Sequence, residues 1–311
     1  MAWNRPGETR YGVHSIDHFA LEVPSLSKAY DFFVNFGLDV ARCDSVLELR
    51  AFGSPHVWAK IFEGPSKRLA YLSLGSWNDE YEPLVEQVLA HGACLADGAP
   101  YTDGNGLWFT DPDGNLLQLR PGPKVTPSGL RTQTHALPRA GQRGVTGRAL
   151  AARTQPTRLS HVLMFTPDIN RAINFYGLAL GLRLSDRSRD AVAFMHGRHG
   201  SDHHLVAFAS SSARGWHHSS WDVDGIDAVG KGGEQMRRAG YTEGWGTGRH
   251  VLGSNYFHYV RDPWGSFAEY SADIDFIATG MSWPTGDHPP EDSLYLWGPD
   301  VPAYFFHNSE T

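Results

Sequence analysis

Three places in the second half of this chain carry side chains of metal-ligating type. His161 sits in the apolar run Leu159-Ser160-His161-Val162-Leu163-Met164-Phe165. His217 and His218 stand together in Trp216-His217-His218-Ser219-Ser220-Trp221. Glu269 closes Asp262-Pro263-Trp264-Gly265-Ser266-Phe267-Ala268-Glu269. Each run reads as a strand, so three strands can present two imidazoles and one carboxylate. Two histidines and a carboxylate on one face of an octahedron leave three positions open, the arrangement that suits non-haem Fe(II) oxygen chemistry. The histidine supply is itself uneven: of 16 in the chain, 11 lie from His161 onward. Any single histidine is more often a surface or satisfied core residue, so the weight falls on the set and its spacing.

The elements that must position these residues occur twice. Residues 14–40 (HSIDHFALEVPSLSKAYDFFVNFGLDV) and 158–184 (RLSHVLMFTPDINRAINFYGLALGLRL) share one plan: an apolar strand with a histidine, a proline, then an amphipathic helix closed by a glycine. His18 and His161 are thereby equivalent. WFTDPDGNLLQL at 108–119 and YVRDPWGSFAEY at 259–270 are each strand, Asp-Pro-x-Gly turn and strand, which makes Gln118 the counterpart of Glu269. Proline suits an early turn position and glycine supplies the positive φ of a tight reversal. Further helices are expected at about 79–91 and 225–239, closed by Gly92 and Gly240. Between His56 and His91 there is no histidine, so the first half is expected to lack a counterpart of His218 and to hold no metal.

These repeats imply an α+β architecture of four βαβββ units, paired into two similar domains, each an open, barrel-like sheet. The expected boundaries are 1–121 for a first domain without a metal site, 122–157 for a Pro-, Gly-, Arg- and Thr-rich linker, and 158–271 for the metal-binding domain. An aromatic-rich tail, 272–311, is expected to pack on the body. The 311 residues carry 41% hydrophobic side chains and a formal charge of -7, enough apolar matter for a real core. No basic block is present, which argues against nucleic acid as a partner. No run of about 18 apolar residues suggests a membrane span. Two cysteines, Cys43 and Cys94, and no apolar leader at the start fit a cytoplasmic protein.

One stretch is more specific. Gly248-Arg249-His250, seven residues, then His258-Tyr259-Val260-Arg261-Asp262-Pro263-Trp264-Gly265-Ser266-Phe267-Ala268-Glu269 resembles the signature of the type I extradiol ring-cleaving dioxygenases, catechol 2,3-dioxygenase-like members of the vicinal oxygen chelate superfamily. The likeness extends over nearly the whole chain, and it departs at His258, where the family favours an aliphatic or aromatic residue. The resemblance implies that His161, His218 and Glu269 ligate Fe(II), with Mn(II) as a compatible substitute. It implies His204 as the acid–base residue, and His250 and Tyr259 as the pair beside the substrate oxygens. Strand alternation is expected to turn His217 and His258 away from the metal.

The implied reaction is insertion of both atoms of O2 into a catecholic ring, giving a hydroxymuconic semialdehyde-type product, by a homo-oligomeric enzyme. Relatives that cleave carboxylate-bearing catechols hold the carboxylate with arginines, where this chain has Trp245 and Leu294. Both are therefore expected to face substrate, and the ring to be uncharged: alkyl-, aryl- or hydroxy-substituted. Two other functions belong to the same fold, a glyoxalase-type metal isomerase and a non-catalytic small-molecule binder. The first usually draws ligands from both halves and has no use for His204, His250 and Tyr259 together; the second would leave a complete metal triad unexplained.

Overall fold

The computed structural model describes residues 9–130 and 140–311; the first eight residues and 131–139, within the expected linker, lie outside it. Four units follow one another. The first is β1 (Ser15–Val23), α1 (Leu26–Phe36), β2 (Asp39–Cys43), β3 (Val46–Arg50) and β4 (Val57–Glu63). The second is β5 (Arg68–Ser76), α2 (Tyr81–Ala90), β6 (Cys94–Leu95), β7 (Leu107–Thr110) and β8 (Leu116–Pro121). The third is β9 (Arg158–Thr166), α3 (Ile169–Leu178), β10 (Leu182–Ser188), β11 (Val192–Gly197), the two-residue β12 (Ser201–Asp202) and β13 (Val206–Ser210). The fourth is β14 (Gly215–Asp222), α4 (Gly225–Arg238), β15 (Gly244–Arg249), β16 (Tyr256–Arg261) and β17 (Phe267–Ala272). Short β18 (Phe276–Ile277) and β19 (Gly286–Asp287) belong to the tail. Apart from the inserted β12, each unit is βαβββ, as the repeats imply.

Local chemistry repeats with the units. Ser25 caps α1 by accepting from the Lys28 N–H, and Asp168 caps α3 by accepting from that of Arg171; both satisfy backbone donors that a helix start leaves open. The Asp-Pro-x-Gly turns are built alike. Asp111 Oδ1 accepts from the Asp113 and Asn115 N–H groups, and Asp262 Oδ1 from those of Trp264 and Ser266. Gly114 and Gly265 supply the left-handed step, at φ +83° and +97°. Each turn thus sets the start of β8 or β17, and with it the face that Gln118 or Glu269 occupies.

The two sheets share a strand order. The first runs β2-β3-β4-β1-β5-β8-β7-β6, and the second runs β15-β16-β17-β14-β9-β13-β11-β10 with β19 added at its edge. At each centre two antiparallel strands pair, β1 with β5 and β9 with β14. The halves meet through one continuous apolar core. Phe36 of α1 stacks on Tyr270 at 3.9 Å, the Tyr270 hydroxyl donates to the Phe36 carbonyl, and Phe19 packs on Trp216. Burying each such ring contributes about 1.5–3 kcal/mol. On α4, a methyl at Gly232 would meet the Tyr270 ring at 2.8 Å, so glycine there lets the helix lie close on β17. No described helix is long and apolar enough to cross a membrane.

Candidate metal centre and catalytic pocket

The second barrel gathers the sequence-derived residues on its concave face. His161 projects from β9, His218 from β14 and Glu269 from β17, the three central strands, and all three side chains are buried. His161 Nε2 lies 3.2 Å from Glu269 Oε2, and His218 Nε2 lies 3.6 Å from the same oxygen. One ligand atom from each residue falls within 4.8 Å of the other two. His218 Nε2 and Glu269 Oε2 are buried and have no hydrogen-bond partner. Buried polar atoms are ordinarily paired, because leaving one bare costs about 1–3 kcal/mol. Two bare atoms converging beside a third are what a bound cation would satisfy, and nitrogen plus carboxylate oxygen suits Fe(II) or Mn(II).

Surrounding groups set which atoms are bare. Asn255 Nδ2 donates to Glu269 Oε1 at 3.2 Å and to Ser271 Oγ, leaving Oε2 to the centre. The Phe305 carbonyl lies 2.7 Å from His217 Nε2, and a carbonyl only accepts, so that nitrogen carries the proton. In the neutral ring His217 Nδ1 is then an acceptor and takes the proton of His218 Nδ1 at 2.7 Å. His218 Nε2 is left with its lone pair facing the centre, the tautomer a ligand needs.

This corrects one expectation. His217 does not turn to the opposite side of its strand. A register shift pairs Trp216 with Met164 and His218 with Leu163, so His217 is the extra residue of a β-bulge, which suspends strict alternation. Its ring lies 4.9 Å from that of His218 and borders the same cavity. His258, by contrast, faces the other side of β16, where a methyl on Gly233 of α4 would strike its ring.

His204, His250 and Tyr259 border the cavity too. The His204 ring lies 4.0 Å from that of His161, and its Nδ1 lies 3.0 Å from His203 Nδ1. The neighbouring histidines His203 and His196 are buried as well, so this cluster belongs to the interior. His250 Nδ1 donates to the Leu294 carbonyl, leaving His250 Nε2 to accept from the Tyr259 hydroxyl at 3.0 Å. Leu294 therefore orients His250 through its backbone while its side chain lines the cavity. Trp245 is buried, donates to the Pro299 carbonyl, and lies nearly parallel to Tyr259 with ring centroids 5.6 Å apart. Leu163, Val192, Phe194, Leu252, Phe305 and Phe306 complete an apolar wall, and among the described residues no Lys or Arg lines it.

Electrostatics sort these groups. Burial alone would raise the Glu269 carboxyl, but the imidazoles of His161, His250 and His218 converging on it prevail and hold it well below the usual carboxylate range. Burial, reinforced by the surrounding imidazoles, pushes His204 well below the usual histidine value. Burial and then the Glu269 charge keep the Tyr259 phenol well above its ordinary value. At neutral pH the cavity therefore offers an anionic carboxylate, a neutral imidazole at His204 and a phenol that keeps its own proton.

Asn255, Phe305 and the carbonyl role of Leu294 were not foreseen from sequence. Asn255 stands five residues after His250 in a loop without periodicity, and the other two come from a tail whose contacts leave no sequence pattern.

The model of the glyoxalase/bleomycin resistance protein/dioxygenase superfamily matches residues 158–270, the segment carrying all three candidate ligands. Metapyrocatechase 2 of Cupriavidus necator is 56% identical over 301 residues, which is 97% of this chain and 94% of that protein. Among solved structures, the Mn(II)-bound glyoxalase from Novosphingobium aromaticivorans aligns with a TM-score of 0.76 at 21% identity, covering 96% of this chain and 95% of that one. An extradiol ring-cleaving dioxygenase from B. fuscum aligns with a TM-score of 0.75 at 20% identity, covering 98% and 85%. At such low identity these two structures speak for the fold alone, which a glyoxalase and a dioxygenase share.

Proposed function

Because this chain belongs to the extradiol ring-cleaving dioxygenases of the vicinal oxygen chelate superfamily, we propose that it opens a catecholic ring beside its two hydroxyls. Both atoms of O2 enter the product, a hydroxymuconic semialdehyde-type compound of aromatic catabolism. The carrying observation is the convergence of His161, His218 and Glu269 with two unsatisfied buried atoms, next to His204, His250 and Tyr259. Fe(II) is the proposed cofactor, and Mn(II) fits the same donors. When bound, the ferrous ion would supply Lewis-acid and one-electron chemistry, which lets an electron-rich ring react with oxygen.

The protein's own groups do the rest. His204 takes the proton of a substrate hydroxyl at Nε2 and holds it in the cavity, then returns it to an oxygen of the opening ring. Tyr259 stays protonated: its hydroxyl oxygen can accept from a substrate hydroxyl while its proton rests on His250 Nε2, and on turning away from His250 it donates to the substrate oxygen where charge develops. The wall of Leu163, Val192, Phe194, Trp245, Leu252, Leu294 and Phe305 excludes water, which strengthens these interactions.

The same wall defines the substrate class. A carboxylate on the ring would be buried against apolar groups with no Lys or Arg among the described lining residues to meet it, at a cost of several kcal/mol. An uncharged catechol with an alkyl, aryl or further hydroxyl substituent is preferred. The test is oxygen uptake and a yellow product from Fe(II)-loaded protein given 3-methylcatechol, 4-methylcatechol, 2,3-dihydroxybiphenyl, a trihydroxytoluene or homoprotocatechuate. Turnover of the uncharged rings with homoprotocatechuate far behind is expected. Homoprotocatechuate ahead of all others contradicts the substrate reading, and silence throughout with iron bound contradicts the activity.

A further inference from the structure

We propose that His203, anchored by Asp186, is a positioning residue that sets the tautomer and orientation of His204. This rests on the reading of His204 as the acid–base group. The Asp186 carboxylate accepts four donors: the His203 ring at 2.8 Å, the Trp283 indole at 2.9 Å, the Gly286 backbone at 2.9 Å and the His288 ring at 2.7 Å. A carboxylate so filled cannot swing, and it can only accept. His203 Nε2 must therefore be the protonated nitrogen, and in the neutral ring Nδ1 is the acceptor. Only the His204 Nδ1–H faces it, at 3.0 Å. His204 is left with a bare Nε2, and its ring borders the cavity.

The arrangement repeats that of His217 and His218. In both pairs of adjacent histidines the two Nδ1 atoms face each other, and a pure acceptor at the far end of the outer ring dictates the tautomer of the inner one. Without that acceptor an imidazole is free to carry its proton on either nitrogen, and the tautomer with Nε2–H cannot take a proton from substrate. Three of the four donors to Asp186 come from residues 283–288 of the tail, where β19 pairs with β10. The tail thus holds the acid–base group at one remove.

Two variants separate positioning from mere packing. Glutamine at 203 can donate its amide N–H to Asp186 and accept from His204, whereas alanine does neither. His203→Ala is expected to lower kcat on 3-methylcatechol by roughly ten- to a hundredfold, the range seen when an outer partner is lost. Its KM and iron content should stay within about twofold. His203→Gln should recover most of the loss. Histidine-selective 15N spectra of metal-free protein give a readout independent of activity. His204 should appear as the Nδ1–H tautomer in the unmutated chain and in His203→Gln, and as a mixture in His203→Ala. Unchanged kcat in His203→Ala, or equal losses in both variants, overturns the proposal, as does an Nε2–H tautomer in the unmutated chain. Ring-cleavage failure of the unmutated, iron-loaded protein would instead sink the activity reading, leaving the tautomer assignment to stand or fall on the spectra.

Discussion

The two barrels place different chemistry at the same points of one scaffold. Register makes the comparison residue by residue. His18 pairs with Ser73 and Ser73 with Gln118, as His161 pairs with Ser220 and Ser220 with Glu269. Two residues along, Ala20 faces Tyr71 where Leu163 faces His218, and Trp108 stands opposite Gln118 as Tyr259 stands opposite Glu269. Even the bulge is kept: Ala70 is the extra residue in β5 and His217 in β14. The first barrel thus holds His18, Tyr71, Gln118 and Trp108 in place of His161, His218, Glu269 and Tyr259.

What separates them is satisfaction. The His18 ring bonds to the Tyr71 hydroxyl at 3.0 Å and to Asp17 at 2.7 Å. Gln118 accepts from Ser73 and donates to the Asn105 carbonyl. At these matched positions the first barrel closes its polar side chains on neighbours, its one unpaired buried side-chain atom among the described residues of β1–β8 being Trp58 Nε1, while the second leaves His218 Nε2 and Glu269 Oε2 bare. Unpaired buried atoms weaken a fold unless something binds them, so the barrel that carries that cost is the one read as working.

The largest expected effect comes from removing the difference. Glu269→Ala or His218→Ala should abolish iron retention and lower ring cleavage at least a thousandfold, checked by metal analysis and oxygen uptake. Iron should also raise the melting temperature of the unmutated chain and not that of Glu269→Ala. Next, His217→Phe keeps the ring shape but loses the acceptor for His218 Nδ1–H. Iron affinity should fall about ten- to a hundredfold in a chelator competition.

A third effect concerns acid stability. Burial lowers His196 to about 3 and His258 to about 4 in the second half, and His14 to about 4 in the first. Below pH 6.5 the unfolded chain takes up protons that these folded rings refuse, so stability falls with pH until about 3–4. Each contributes up to about 1.4 kcal/mol per pH unit. The urea midpoint of metal-free protein should therefore drop between pH 7.5 and 5; a flat midpoint would contradict the assignment of neutral rings.

The smallest and most diagnostic effect is a gain. Tyr71→His with Gln118→Glu would give the first barrel its own two imidazoles and carboxylate beside His18. A second, weaker metal equivalent is expected in equilibrium dialysis, weaker because the bulky Trp108 stands where the second barrel has Tyr259.

Much of the comparison was legible in the sequence, for reasons tied to particular residues. The Asp-Pro-x-Gly turns date the start of β8 and β17, so Glu269 and Gln118 can be aligned by counting. His161 and His18 stand at one distance from their helices. Tyr71 was missed as the counterpart of His218 because side-chain type, the only signal available, had changed while position had not. His217 was misplaced because a bulge leaves no mark on hydrophobic alternation. The tail residues Trp283, His288, Leu294 and Phe305 reach the site only through tertiary packing, and no periodicity connects them to the strands they complete.

The central claim, that the second barrel alone holds the metal and opens the ring, is tested most directly by titrating metal-free protein with Fe(II) under anaerobic conditions and measuring oxygen uptake with 3-methylcatechol at each point. Activity should saturate at one iron per chain, survive in Gln118→Ala and vanish in Glu269→Ala. Saturation at two irons per chain, or turnover that persists in Glu269→Ala, would contradict it.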